Sequence, residues 1–207
     1  ESAHVSFSAD ELKLPELGYM VENNVLQQAL WQALAAHENV TLRVPAALET
    51  MRAAEGESLL TFTDGSALRA KLVIGADGAS SQVRQMAGIG THAWQYPQSC
   101  MLITVACEDE PGDSTWQQFT PAGPRAFLPL FDRWASLVWY DAPARIRQLQ
   151  SLPMARLGEE IARSFPQRVG KVTPVAAGAF PLTRRHALRY VRPGVALVGD
   201  AAHTIHP

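Results

Sequence analysis

The sequence predicts a mixed α/β fold in which two strand-to-turn junctions bracket a β-rich insertion. Three observations carry this. Residues 195–198 are a short apolar run that ends on Gly199–Asp200, the pattern of a buried strand leaving a sheet through a turn. Residues 68–74 form a second strand-like run, which passes straight into Gly75–Ala76–Asp77–Gly78 and then a helix-compatible segment. Between the two junctions, residues 99–140 are rich in aromatic and β-branched side chains, which suits pleated, half-buried strands.

At 207 residues the chain can form one substantial domain or two small ones. Hydrophobic residues make up 47% and charged residues 18%, an ordinary globular composition. A net charge of −2 provides no electrostatic case for nucleic acid or an anionic surface. No apolar run approaches the roughly 18 residues that would span a bilayer. Glu1–Ser2–Ala3–His4 has neither a basic nor an apolar leader region, so a processed terminus or an excised piece is expected rather than a signal peptide. Cys100 and Cys107 have no metal-like or disulfide-framework spacing. They suit a reducing cytoplasm and are expected in the core.

In chain order, residues 5–8 read as a short strand, and Leu12, Leu14 and Leu17 as apolar anchors before a turn at Gly18. Asn23 or Asn24 is a plausible N-cap. The helix that follows places Val25, Leu26, Ala29, Leu30, Ala33 and Leu34 on one stripe. Residues 40–44, 59–63 and 68–74 read as strands, the last two joined through Asp64–Gly65. After residue 99, strands are expected at 99–107, 115–119, 126–131 and 135–140, with turns at 111–113 and 121–124. Helices are expected at 144–152 and 154–165, broken at Pro153. A strand at 172–180 then precedes a turn at Pro181–Leu182–Thr183.

The chemistry-bearing residues lie at the two junctions. Asp200 stands at a strand exit, where a carboxylate either accepts hydrogen bonds from ligand hydroxyls or caps the next helix. At 75–84 the glycines let backbone approach an anion, and a helix opened by Ser80 or Ser81 offers free N–H groups. The other reading is a tight turn with a serine cap. Gly88–Ile89–Gly90–Thr91–His92–Ala93 fits G-x-G-x-x-A, yet it follows a helix and precedes an extended pre-proline segment. That is the reverse of a dinucleotide loop, and Gly88 is read as a helix C′ glycine. His203 and His206 lack the further ligands a metal would need, and no G-x-S-x-G elbow supports a serine hydrolase.

Taken together, G-A-D-G-x-x-S-x-V-R at 75–84 and G-D-A-A-H-x-x-x-P at 199–207 resemble two motifs of the aromatic-ring hydroxylases, the group A flavoprotein monooxygenases. Further strings, T-W-Q-Q-F-T-P at 115–121, R-A-F-L-P-L-F-D at 125–132 and P-L-T-R-R-H-A at 181–187, are similar to the ubiquinone-biosynthesis branch. The resemblance implies a partial FAD-binding Rossmann-like domain with an inserted β-rich substrate domain, as in p-hydroxybenzoate hydroxylase. Residues 1–18 would be a substrate-domain strand and connector, 19–90 and 185–207 parts of the FAD-binding domain, and 91–184 the substrate domain. The family's glycine loop is absent from this chain, so the piece alone is expected to bind FAD weakly or not at all and to be inactive.

The implied cofactor is FAD, with NAD(P)H and O2 as co-substrates. A prenylated benzoquinol would be hydroxylated through a C4a-hydroperoxyflavin, with no side-chain catalyst. Cofactor contacts are implied for Asn23, Asp77, Gly78, Gly199, Asp200, Ala201 and Pro207. Phe127, Leu128, Pro129, Leu130, Trp139 and Tyr140 are candidates for an apolar substrate pocket or for plain core. The resemblance also implies cytoplasmic work at the inner membrane face or within a multi-enzyme assembly. The alternatives are hydroxylation at another ring position, flavin-dependent reduction of a prenyl chain, and a non-catalytic binding piece.

Overall fold

The computed structural model of the chain describes residues 3–54 and 56–205. In chain order the helices are α1 (Ala9–Leu12), α2 (Asn23–Ala35), α3 (Gln82–Met86), α4 (Pro143–Gln150) and α5 (Met154–Ser164). The strands are β1 (Leu48–Arg52), β2 (Ser58–Phe62), β3 (Ala67–Ala70), β4 (Val73–Gly75), β5 (Thr91–Cys107) and β6 (Trp116–Thr120). They continue with β7 (Gly123–Pro129), β8 (Trp134–Asp141), β9 (Val172–Ala187), β10 (Val191–Arg192), β11 (Val195–Leu197) and β12 (His203–Thr204). This is the mixed α/β fold expected. Two compact units share it, and each is built from three chain segments.

The first unit comprises Glu1–Val40, Leu102–Trp139 and Ser151–Gly178. Its antiparallel strands β6, β7 and β8 pair in sequence, Trp116 opposite Phe127 and Phe127 opposite Leu137. Alternation along them buries Phe127, Leu137 and Trp139. Trp139 meets Phe165 edge-on with ring centroids 5.4 Å apart, and α5 turns Leu157 and Ile161 inward. Phe127 stacks on Trp116 at 5.7 Å. Phe127 and Trp139 are therefore packed into the core.

The second unit comprises Thr41–Met101, Tyr140–Gln150 and Ala179–Pro207. It contains the antiparallel sheet β1-β2-β3 and the sheet β10-β11-β4, in which β11 and β4 are parallel. Met51, Leu60, Val73, Val83, Ile89, Val195 and Leu197 belong to one buried cluster here. In the same unit, β12 pairs antiparallel with β9, His203 opposite His186. Cys100 is also buried here and hydrogen-bonds Tyr140; burial raises its thiol to about 11, so it behaves as a core residue.

Several expectations are corrected. Residues 5–8 and 40–44 form no strand, because an extended segment needs a paired edge and none of the described strands supplies one. The run at 68–74 breaks into β3 and β4. No turn forms at Pro181–Leu182–Thr183; β9 continues through it, with the strand's pairing overriding the proline signal. Asn23 is the first residue of α2 and not its cap, which is Glu22. The α2 helix forms where expected, but its apolar stripe lies exposed, with none of its residues buried. Among the described residues no helix is long and apolar enough to cross a membrane.

Candidate functional site

The two junctions singled out by the sequence meet in the second unit. β11 lies beside β4, with Val195 opposite Val73 and Leu197 opposite Gly75. The Val198 N–H donates to the Gly75 carbonyl at 2.9 Å. The strands run in the same direction and end together, so the turns at 75–81 and 199–202 open from the same carboxyl edge. In parallel α/β sheets that edge is where ligands bind.

Glycine is required at this edge for two different reasons. A Cβ on Gly75 would come within 2.9 Å of both Leu197 and Val83, so its absence lets α3 and β11 close on β4. Gly78 and Gly199 have φ of 80° and 56°, and a Cβ on either would point into open space. Their backbones are bare on the side away from the protein.

Asp77 is held inside its own turn. Its carboxylate accepts from the Ser81 hydroxyl and from the Val83 N–H. Burial alone would raise this carboxyl, but those hydrogen bonds more than offset it and leave it below the ordinary 3.8. A depressed carboxyl stabilises the fold above its unfolded value and loses that contribution as pH falls through the folded one. Acid unfolding followed between pH 5 and 2 is therefore expected to show a smaller loss of stability in Asp77→Asn than in the native protein. Equal slopes would show that Asp77 contributes nothing to the turn.

These bonds correct the expectation of free N–H groups at the start of α3. The Ser81 hydroxyl caps α3 by accepting from the Arg84 N–H at 2.9 Å, and the Gln85 N–H reaches the Ser81 carbonyl. With the Val83 N–H on Asp77, the first turn of this five-residue helix spends its donors internally. What the 75–84 string builds is a rigid turn.

Arg84 joins the two turns. Its guanidinium, in a residue only 5% exposed, donates to the Ala201 carbonyl and to the Ala79 carbonyl, each at 2.9 Å. Arg185 of β9 donates to the same Ala79 carbonyl. Sequence reasoning assigned neither arginine a role. Arg84 closes the 75–84 string, and an arginine at a fixed place beside a glycine turn was the available signal. Arg185 carried none.

Asp200 differs from Asp77. It lies in the 3-10 turn Gly199–Ala201, exposed, and its side chain caps nothing. No described residue hydrogen-bonds or pairs with it, which leaves its full acceptor capacity open. Ala201 is fully buried and contributes its carbonyl to Arg84. Asn23 belongs to the first unit, and Pro207 lies outside the described residues.

A family model described as an FAD binding domain matches residues 7–207. The chain is 74% identical over 207 residues to the 3-demethoxyubiquinol 3-hydroxylase of Escherichia coli, covering 100% of this chain and 53% of that protein. It is 40% identical over 192 residues to ubiquinone hydroxylase UbiL of Rhodospirillum rubrum, covering 92% and 45%. The chain thus spans about half the length of these relatives. Among solved structures, p-nitrophenol 4-monooxygenase PnpA of Pseudomonas putida superposes with a TM-score of 0.72 at 21% identity, covering 87% of this chain and 47% of that one. That likeness concerns the fold.

The free Asp200 carboxylate, flanked by open glycine backbone at a parallel-strand edge, has the chemistry to hold the sugar hydroxyls of FAD. The match over residues 7–207 settles the family: this chain is a member of the FAD-binding domain family.

Proposed function

We propose that the protein is part of a flavin-dependent monooxygenase that hydroxylates a prenylated benzoquinol in ubiquinone biosynthesis, using NAD(P)H and O2. The observation that carries the reading is the open Asp200 carboxylate on the Gly199 turn, locked by Arg84 against the Gly78 turn. The names of the two ubiquinone-pathway relatives supply the substrate class. FAD, once bound and reduced by NAD(P)H, supplies the oxygen-transfer chemistry to an electron-rich ring.

The protein's own residues bind and orient. Asp200 accepts hydrogen bonds from the sugar chain of the cofactor, and Gly78 and Gly199 let the backbone come close. Asp77 and Ala201 act through turn geometry, the first by fixing the 77–83 turn and the second through its carbonyl. Asn23, in the 18–23 string that resembles the family's polar cofactor contact, and Pro207, in the 199–207 string, are carried as cofactor contacts by resemblance alone. The quinol hydroxyls already activate the ring, so no side-chain nucleophile is needed. A lipid-borne quinol implies work at the cytoplasmic face of the inner membrane or in a multi-enzyme assembly.

Asp200→Ala is expected to weaken FAD binding about 10- to 100-fold, the value of one or two hydrogen bonds to a charged acceptor. Fluorescence titration of FAD into the complete protein measures it, and unchanged affinity would remove Asp200 from the site. The function itself is tested by the visible spectrum of the complete protein with NADPH and a prenylated quinol analogue. A yellow flavin band, with NADPH consumed in step with oxygenated quinol, is the expected result. NADPH consumption with a saturated prenyl chain and no oxygenation would favour the reductase. A colourless protein that FAD cannot reconstitute would overturn the reading.

A further inference from the structure

Beyond the two glycine turns, the second unit carries a group of polar rings to which no role has yet been given. The pairing of β12 with β9 sets His203 opposite His186. The His186 and Tyr190 rings each lie 5.7 Å from the His203 ring, centroid to centroid, and 18° from its plane. The His186 Nδ1 and the Tyr190 hydroxyl are 3.2 Å apart, and the Arg184 Nε–H donates to the His186 Nε2 at 3.3 Å. Arg184 is itself seated over the Trp94 ring, 4.6 Å from its centroid.

These contacts have a direction. An arginine only donates, so the His186 Nε2 must accept and its Nδ1 must carry the proton. Nδ1–H then donates to the Tyr190 oxygen, giving a chain Arg184 to His186 to Tyr190. The chain holds two rings flat against His203, which directly follows the Asp200 turn. Meanwhile the His203 Nδ1 is buried and has no hydrogen-bond partner among the described residues. A buried polar atom left unmatched between two ordered rings points to a partner that arrives with a ligand.

We infer that Arg184, His186 and Tyr190 are positioning residues that fix the His203 ring beside the Asp200 turn, so that its buried Nδ1 meets a hydrogen-bonding group of the bound flavin. The inference rests on the flavin reading above. His186→Leu removes both bonds of the chain, and His186→Gln supplies an amide with one acceptor and one donor in their place. Tyr190→Phe keeps the ring against His203 and removes only the hydroxyl.

The test uses the complete protein, with FAD affinity and the position of the flavin absorption band as readouts and the FAD-free melting temperature as the folding control. His186→Leu is expected to weaken FAD binding about tenfold, roughly one hydrogen bond, and to shift the band. His186→Gln is expected to recover most of both effects, and Tyr190→Phe to fall between. His203→Phe is expected to match His186→Leu, and the double variant to be no worse than either, as residues acting through one another behave. Native affinity and spectrum in His186→Leu, or additive losses in the double variant, would overturn the inference. Should His186→Leu not fold, a native affinity and band in both Tyr190→Phe and His203→Phe would overturn it equally. Failure of the native protein to bind FAD would instead sink the flavin reading.

Discussion

Arg84→Ala is expected to lower stability by about 3 kcal/mol and to weaken FAD binding together with it. The Ala201 carbonyl would lose its guanidinium donor inside a residue pair that is almost fully buried. A hydrogen bond from a charged donor is worth about 1.5–3 kcal/mol, and an abandoned buried acceptor adds to that cost. The Ala79 carbonyl would keep Arg185, so the damage centres on the Asp200 turn. Arg84→Lys is expected to rescue little, because one ammonium on a flexible stem does not reproduce a planar fork spanning two carbonyls. Urea unfolding of native and variant proteins measures the difference. A change below about 0.5 kcal/mol, the range of ordinary surface substitutions, would mean that Arg84 does not clamp the turns.

Gly194→Ala is expected to be at least as damaging. Gly194 sits between β10 and β11 at φ 77°, and a Cβ there would lie 2.5 Å from the Ala54 carbonyl oxygen and 2.6 Å from the Ser58 hydroxyl oxygen. The left-handed conformation costs an L-residue about 1–2 kcal/mol. The collision with backbone cannot be relieved by a rotamer change, and overpacking of this kind costs a further 1–3 kcal/mol or so. Together they predict a loss of about 2–5 kcal/mol and separation of β1–β2 from the β11 edge. Gly199→Ala is the matched control. It shares a positive φ but faces open space, so it should cost only the conformational part, about 1 kcal/mol. Similar unfolding midpoints for the two variants would show that the Gly194 contact is not tight.

The local features of this protein are legible in its residues taken in order. Both glycine turns, the serine that opens α3, Gly88 as a helix end and the break at Pro153 each depend on a few adjacent residues. Positive φ, a capping hydroxyl or a missing N–H is a property of one residue and its neighbours, and so is readable in order. At Asp200 the sequence allowed either a helix cap or an open acceptor, and only the folded turn, whose side chain makes no cap bond, separates the two.

What meets what emerges only with the fold. Nothing in either string says that β4 and β11 are parallel neighbours, that Arg84 bridges their turns, or that His186 stacks on His203, since these pairings join residues far apart in the chain. Periodicity showed that Val25, Leu26, Leu30 and Leu34 share one face of α2, yet a repeat of 3.6 carries no information about what covers that face. Pro181 read as a turn but lies in a strand, because the pairing of β9 outweighs a single residue's preference. Local strain and capping are written residue by residue, whereas strand partners and buried clamps emerge from the burial that the whole chain achieves at once.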